Sequence, residues 1–194
     1  MDAIVQKAID DLVVAAERHD AGQANRLDRW RVLEPDAGRL LWFLAQAIRA
    51  RTIVEVGTSR GVSTLWLADA ARCTGGRVLS VDTDATAQAA AQRSLREARL
   101  ADQVTFRVEA GGVALADLAD GTVDLLFLDA ERTEYPSWWP HPVRVLRSGG
   151  VLVADNALSH PQEIEPLRDL VEQDPQLTTT TIGVGKGELM ALRR

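Results

Sequence analysis

Apolar residues recur at helical spacing over the first fifty positions. Ile4, Ala8, Leu12 and Ala15 form one stripe, and Leu40, Leu41, Leu44, Ala47 and Ile48 form a second. Pro35 suits the first turn of that second helix, and Asp36 complements its positive end. From residue 52 the period changes. Short β-branched runs at 53–56, 78–81, 104–108, 125–128 and 151–154 read as five strands. Helical stretches fall between them: 62–72, a stretch to about residue 99 that Asp84 can cap, and 164–171. Gly149-Gly150 reads as a turn that introduces the fifth strand, and 178–182 with 188–192 reads as a closing hairpin.

Strands that alternate with helices, and that are apolar on both faces, imply an α/β fold with a doubly wound, Rossmann-like parallel sheet. No repeat and no low-complexity linker divides the chain, and 194 residues at 21.1 kDa suit one domain. Hydrophobic residues make up 46% and charged residues 26%, a globular balance. The net charge of -6 argues against nucleic acid held through its phosphates and against a polybasic membrane anchor. No apolar run reaches the ~18 residues of a spanning helix, and MDAIVQKAID shows no signal peptide. Cys73 is the single cysteine, so neither an internal disulfide nor a C-x-x-C motif exists. A cytoplasmic enzyme or binding domain remains. Of the 22 basic residues only Lys7 and Lys186 are lysines, and the histidines are His19, His141 and His160. A mechanism that needs a lysine or a histidine has few places to find one.

Ligands of such sheets bind beyond the carboxyl ends of the strands. The first strand ends in Glu55-Val56-Gly57-Thr58-Ser59-Arg60-Gly61-Val62-Ser63. The spacing G-x-x-x-G fails the dinucleotide fingerprint. Glu55 would repel a pyrophosphate but would suit a ligand with an amino group. Asp82 ends the second strand, 21 residues after Gly61, where an acid commonly accepts from ribose hydroxyls. Asp129 ends the fourth strand and Asp155-Asn156 the fifth. Three hard oxygen donors at adjacent strand ends suit Mg²⁺, Mn²⁺ or Ca²⁺. Each of these residues taken singly is also an ordinary turn or cap residue.

Together these runs resemble a known family. IVEVGTSRGVSTLWLADA looks like the first motif of class I S-adenosylmethionine-dependent methyltransferases, and VLSVDTD like their second-strand motif. VDLLFLDAERTEY and LRSGGVLVADNALSH are similar to the metal-site motifs of catechol and caffeoyl-coenzyme A O-methyltransferases, in particular a small bacterial subgroup. VGKGELMALR resembles the reversed last strands of that fold. The resemblance implies a sheet that is mostly parallel with a reversed C-terminal strand. It also implies a single domain over 1–194, with 1–50 as a helical cap and substrate region and 51–194 as the cofactor-binding core. It places Glu55, Gly57, Thr58, Ser59 and Ser63 around the methionine part of S-adenosylmethionine and Asp82 with Thr83 at the ribose. Glu109, Ala110 and Gly111 would border the adenine, and Asp129, Asp155 and Asn156 would hold a divalent metal, with Mg²⁺ the expected ion.

One departure matters. Similar enzymes can use as base a lysine three positions after the first metal aspartate, and here that position is Arg132. Arginine stays protonated at working pH. Either the metal lowers the acceptor's pKa enough, with Arg132 orienting an anionic group or the oxyanion, or His160 takes the proton. Trp138 and Trp139 are candidates for an aromatic wall or for core packing, and Trp30 lies in the capping region. The expected activity is metal-assisted O-methylation of a small phenolic or catechol-like molecule. The alternatives are a metal-independent methyltransferase with His160 as base, a nicotinamide-dependent oxidoreductase, and a non-catalytic cofactor-binding protein. The apolar N-terminal helices would allow a homodimer.

Overall fold

The computed structural model describes residues 1–25 and 29–194. Helices α1 (Ala3–Ala21) and α2 (Pro35–Ala47) come first. The alternating region follows as β1 (Thr52–Val56), α3 (Val62–Thr74), β2 (Arg77–Asp82), α4 (Ala85–Glu97), β3 (Val104–Val108), α5 (Gly111–Asp117) and β4 (Val123–Leu128). After a 3-10 helix, Arg132–Trp138, come α6 (His141–Arg144), β5 (Leu146–Ala154), α7 (Pro161–Gln173), β6 (Leu177–Ile182) and β7 (Glu188–Arg193). The strands form one sheet in the order β3-β2-β1-β4-β5-β7-β6. β1 to β5 are mutually parallel, and β7 runs antiparallel to both β5 and β6. This is the expected doubly wound sheet with a reversed final strand. The chain changes direction across the sheet between β1 and β4, which makes their carboxyl ends the switch point. Among the described residues no helix is long and apolar enough to cross a membrane.

β4 is buried along its whole length, which is why it reads as an apolar run over 125–128, and the buried Asp124 before that run accepts from the Arg51 and Thr52 N–H groups. Leu125 and Phe127 join the core under α1 to α3, with Leu41, Leu65 and Trp66. Leu126 and Leu128 face the opposite core, with Tyr135, Leu167 and Val171. Truncating Leu126 to alanine would cost about 2–5 kcal/mol.

Several expectations shift. In α1 the buried line is Val5, Ile9 and Ala16, with Ala8 and Leu12 packed on its flank and Ile4 exposed. The apolar face is therefore turned by one residue. In α2 the buried line is Ala37, Gly38, Leu41 and Ala45. Small residues dominate it because α2 lies close against α3: a Cβ on Gly38 would come within 2.2 Å of Trp66 Nε1. Gly149 and Gly150 lie inside β5 rather than before it. The pairing with β4 changes register between Val123 and Leu125, and Gly149 has φ +74°, so the glycines mark an irregularity within the strand and not its entry. α5 is too short, at 7 residues, to show a helical period.

Candidate active site

The first loop is built around Glu55, which is fully buried. Thr64 and Ser80 both donate to its Oε2 at 2.6 Å, while Oε1 is buried without a hydrogen-bond partner. Burial pushes its pKa up to about 7, against hydrogen bonds from Ser63, Ser80 and Thr64 that pull it down. A buried carboxylate with one oxygen to spare, at the head of α3, can receive a cationic amino group. Gly57 has φ +108°, and a Cβ there would lie 2.1 Å from the carbonyl oxygen of Asp129. Its missing side chain is what lets this loop rest on the exit of β4.

The other residues of the loop divide. Thr58 points inward: its hydroxyl pairs with Ser80 Oγ at 2.7 Å and accepts from Gln88 at 3.2 Å. Its hydrogen bonds join the loop to β2 and α4. The Ser59 hydroxyl donates to the Trp30 carbonyl at 3.0 Å, and Asp20 accepts from the N–H groups of Trp30 and Arg31. Trp30 stacks on His19, with the Arg60 guanidinium over its ring. The segment after α1 thus lies on the first loop, as a cap would.

Asp82 accepts from the Ser59 N–H at 2.9 Å through one oxygen and from the Asp84 N–H at 2.9 Å through the other. The carboxylate is pinned, and each oxygen keeps a further lone pair. Thr83 beside it is exposed. After β3, the Glu109 N–H donates to the Asp82 carbonyl at 3.0 Å. Ala110 is exposed, while Gly111 is buried, its missing Cβ giving room to Val56 and Trp138. Trp138 is therefore core packing under α5. Glu55, Asp82 and Glu109 close the ends of three adjacent strands.

A second group occupies the ends of β4, β5 and β7. The register aligns Leu128 with Ala154 and Ala154 with Leu189, so Asp129, Asp155 and Glu188 stand one step beyond in a single row. Asp155 and Asn156 are buried, and Asn156 adopts φ +70°. Its side-chain amide donates to Asp155 Oδ2 at 2.7 Å and reaches Asp129 Oδ1 at 3.5 Å. Burial raises the pKa of Asp129, and repulsion by Asp155 adds to it. Burial also raises Asp155, against the Asn156 N–H and the charge of Lys186, which pull it down. Among the described residues no three or more His, Cys, Asp or Glu side chains converge as a preformed metal cage. The Asp129–Asp155–Asn156 set nevertheless fits a divalent cation, because two neighbouring carboxylates resist ionising together until a cation compensates them.

Three residues that sequence reasoning missed complete this group. Glu188 is fully buried, and burial followed by repulsion from Asp155 and Asp129 pushes it up to about 9, with a hydrogen bond shared with the Asp155 carboxyl adding to the rise. Lys186, in the turn between β6 and β7, holds Glu34 Oε1 at 2.6 Å. Burial works against its charge, but Glu34, Asp155 and Asp129 outweigh that and hold its pKa above the ordinary value. The Lys186 carbonyl accepts from the N–H groups of Leu158 and Ser159 at 3.0 Å, so the turn is tied to the loop after Asn156. The readable signal was the hairpin itself, since a strand returning antiparallel to β5 brings its first residues back beside Asp155.

The two catalytic candidates are held differently. Arg132 is buried, and its Nε and Nη2 both bond Glu163 of α7. It clamps the 3-10 helix to α7. His160 stays near the row. Its Nδ1 lies 2.9 Å from Ser159 Oγ, which in turn lies 3.3 Å from Asn156 Oδ1.

Comparison with known proteins identifies the family and agrees with the fold. The profile of the O-methyltransferase family matches residues 9–194. A protein named as an O-methyltransferase from Mycobacterium sp. (strain KMS) is 33% identical over 97% of this chain and 89% of its own. A catechol O-methyltransferase from Niastella koreensis is 33% identical over 65% of this chain and 58% of its own. The crystal structure of TomG from Streptomyces achromogenes, an O-methyltransferase of tomaymycin synthesis in complex with S-adenosylmethionine, has a TM-score of 0.78 at 26% identity, over 100% of this chain and 90% of its own.

Proposed function

We infer function from a single premise: the chain belongs to the O-methyltransferase family. We propose that it moves the methyl group of S-adenosylmethionine to one of two adjacent hydroxyls of a small catechol-like acceptor, assisted by a divalent cation. The observation that carries the reading is the contact at Gly57, which sets the Glu55 loop directly on Asp129. A donor seated at β1 to β3 and an acceptor at β4 and β5 then share one rim. The S-adenosylmethionine-bound TomG and the catechol-methylating Niastella protein support the two halves of the reading.

In this reading Glu55 Oε1 receives the amino group of the methionine part. Asp82 accepts from the ribose hydroxyls, held in place by Ser59 and Asp84. Asp129, Asp155 and Asn156 would hold the cation. When bound, it supplies Lewis-acid polarisation of the acceptor hydroxyl. Lys186 faces the same space as a fixed positive charge and stabilises the ionised acceptor oxygen. Its raised pKa makes it an electrostatic partner rather than a base. The protein's main contribution is alignment of oxygen, methyl carbon and sulfur. The test is transfer of labelled methyl from S-adenosylmethionine to a panel of phenols. Catechols should be methylated once and isolated phenols poorly. No transfer to any catechol, with intact binding of S-adenosylhomocysteine, would contradict the acceptor assignment.

One observation favours a second reading. The Asn156–Ser159–His160 contacts put a histidine within a hydroxyl's reach of the row. Activity that survives EDTA and disappears in His160→Ala would select a metal-independent enzyme with His160 as base.

A further inference from the structure

The positive charge beside the acceptor space comes from an unexpected element. The chain holds two lysines, and the other one, Lys7, is exposed on α1 and paired with Asp11. Arg132 is turned to Glu163. That leaves Lys186, in the turn between β6 and β7. A lysine ammonium rides on a flexible four-carbon stem and can reach any acid around it. Asp155 and Asp129 both bear on the Lys186 charge, yet its Nζ lies 2.6 Å from Oε1 of Glu34, the residue just before α2.

Glu34 is itself held in place. Its side chain makes no capping bond to α2, while its carbonyl accepts from the Gly38 N–H at 2.9 Å and so begins the helix. Its Oε2 is buried because the turn closes over it. Gly185 has φ +56°, and a Cβ there would lie 3.3 Å from that oxygen and 3.1 Å from the Ala37 Cβ. On its other side the turn is fixed to the loop after Asn156. The Lys186 carbonyl accepts from the N–H groups of Leu158 and Ser159, and the Gly187 carbonyl accepts from that of Ala157 at 2.8 Å. Three segments therefore meet at Lys186. The Lys186 side chain is 36% exposed and that of Glu34 31%, so solvent screens the pair less than an ordinary surface pair.

We propose that Glu34 is a positioning residue for methyl transfer: it tethers the Lys186 ammonium at the border of the acceptor space and keeps it off Asp129 and Asp155. The inference rests on the role given to Lys186 above and extends the acceptor site into the N-terminal cap region. Freed from Glu34, the ammonium would turn to the rim acids and leave the place from which it faces the acceptor oxygen. A second effect of Glu34 has the opposite sign. Its negative charge bears on Asp129 and Asp155 and so disfavours an ionised acceptor oxygen. If charge alone mattered, removing it would speed the reaction.

The test is methylation of catechol at saturating S-adenosylmethionine by wild type, Glu34→Gln, Lys186→Met and the double variant. Affinity for S-adenosylhomocysteine, read by calorimetry, controls for the fold. Glu34→Gln keeps the length of the side chain and removes its charge. It should lower kcat about three- to ten-fold, with S-adenosylhomocysteine affinity within about two-fold of wild type. In the Lys186→Met background the same change should alter kcat less than about 1.5-fold, because no ammonium is left to position. A merely structural role would persist in that background. Lysine labelled with ¹³C at Cε gives two signals in this chain, and Glu34→Gln should move that of Lys186 and leave that of Lys7. An unmoved Lys186 signal, kcat at or above wild type in Glu34→Gln, or an equal loss in both backgrounds would overturn the inference and leave the role of Lys186 standing. Unchanged kcat in Lys186→Met, or no turnover of catechol by the wild type, would overturn the reading on which it rests.

Discussion

The two halves of the rim differ in how their polar groups are satisfied. At the ends of β1 and β2, most side chains are already engaged by the protein: Asp82 by two backbone N–H groups, Thr58 by Ser80 and Gln88, Ser59 by the Trp30 carbonyl. Among the described residues, Glu55 Oε1, Gln88 Oε1 and Glu109 Oε2 are the buried atoms on that side left without a hydrogen-bond partner. At the ends of β4, β5 and β7 the balance reverses. Asp129, Asp155 and Glu188 crowd together, Glu34 keeps one buried oxygen unpaired, and Lys186 is the cation that bears on them. The first half is a preorganised cradle whose ligand needs only a few more hydrogen bonds. The second sets several buried acids beside one ammonium, and in the proposed reading a bound cation would balance them. A rigid seat for the donor beside an unfinished seat for the acceptor is what an alignment-driven methyl transfer requires.

The contrast can be broken from either side. The largest effect should come from Asp155→Ala, with turnover falling on the order of 10²-fold or more while S-adenosylhomocysteine affinity stays near wild type. Rate measurements alongside calorimetry would show the split. Asp82→Ala should do the converse and weaken S-adenosylhomocysteine about 10–100-fold, with the rate at saturating donor little changed. Lys186→Met should lower kcat roughly ten-fold and move the acid limb of the pH–rate profile upward, whereas Lys186→Arg restores most of it. Arg132→Met, which affects only the clamp on Glu163, should leave kcat within about two-fold and lower the thermal midpoint by roughly 2–4 °C.

The smallest effect is on the pH dependence of stability. Glu55 has its pKa raised to about 7 from 4.5, so between those values the folded chain holds a proton that the unfolded chain has released. Stability from this group therefore falls as pH rises through that window. Glu55→Gln removes the fall. Asp129, Asp155 and Glu188 contribute with the same sign and Asp124 with the opposite one, so the measurement is the difference between variant and wild-type denaturation curves from pH 4.5 to 7.5. Parallel curves would contradict the assignment.

The donor half was legible because it is local. Glu55 to Ser63 is one turn, and Asp82 follows a strand whose β-branched run is plain in the sequence. Only packing shows that the Thr58 hydroxyl turns toward Gln88. The acceptor half was legible only for Asp129, Asp155 and Asn156, which follow the apolar runs 125–128 and 151–154. Glu188, Lys186 and Glu34 come from a reversed hairpin and from the entry of α2, about 150 residues apart in the chain and adjacent only once β7 has paired with β5. Arg132 was assigned by its spacing from Asp129, but a 3-10 helix points it at Glu163 of α7.

The most direct test of the account is methyl transfer from S-adenosylmethionine to catechol by EDTA-treated protein, before and after Mg²⁺ is restored. Turnover should be lost on chelation and return with Mg²⁺, while S-adenosylhomocysteine binds in both states. Turnover that chelation leaves unchanged would contradict the claim that the Asp129–Asp155–Asn156 rim works through a cation.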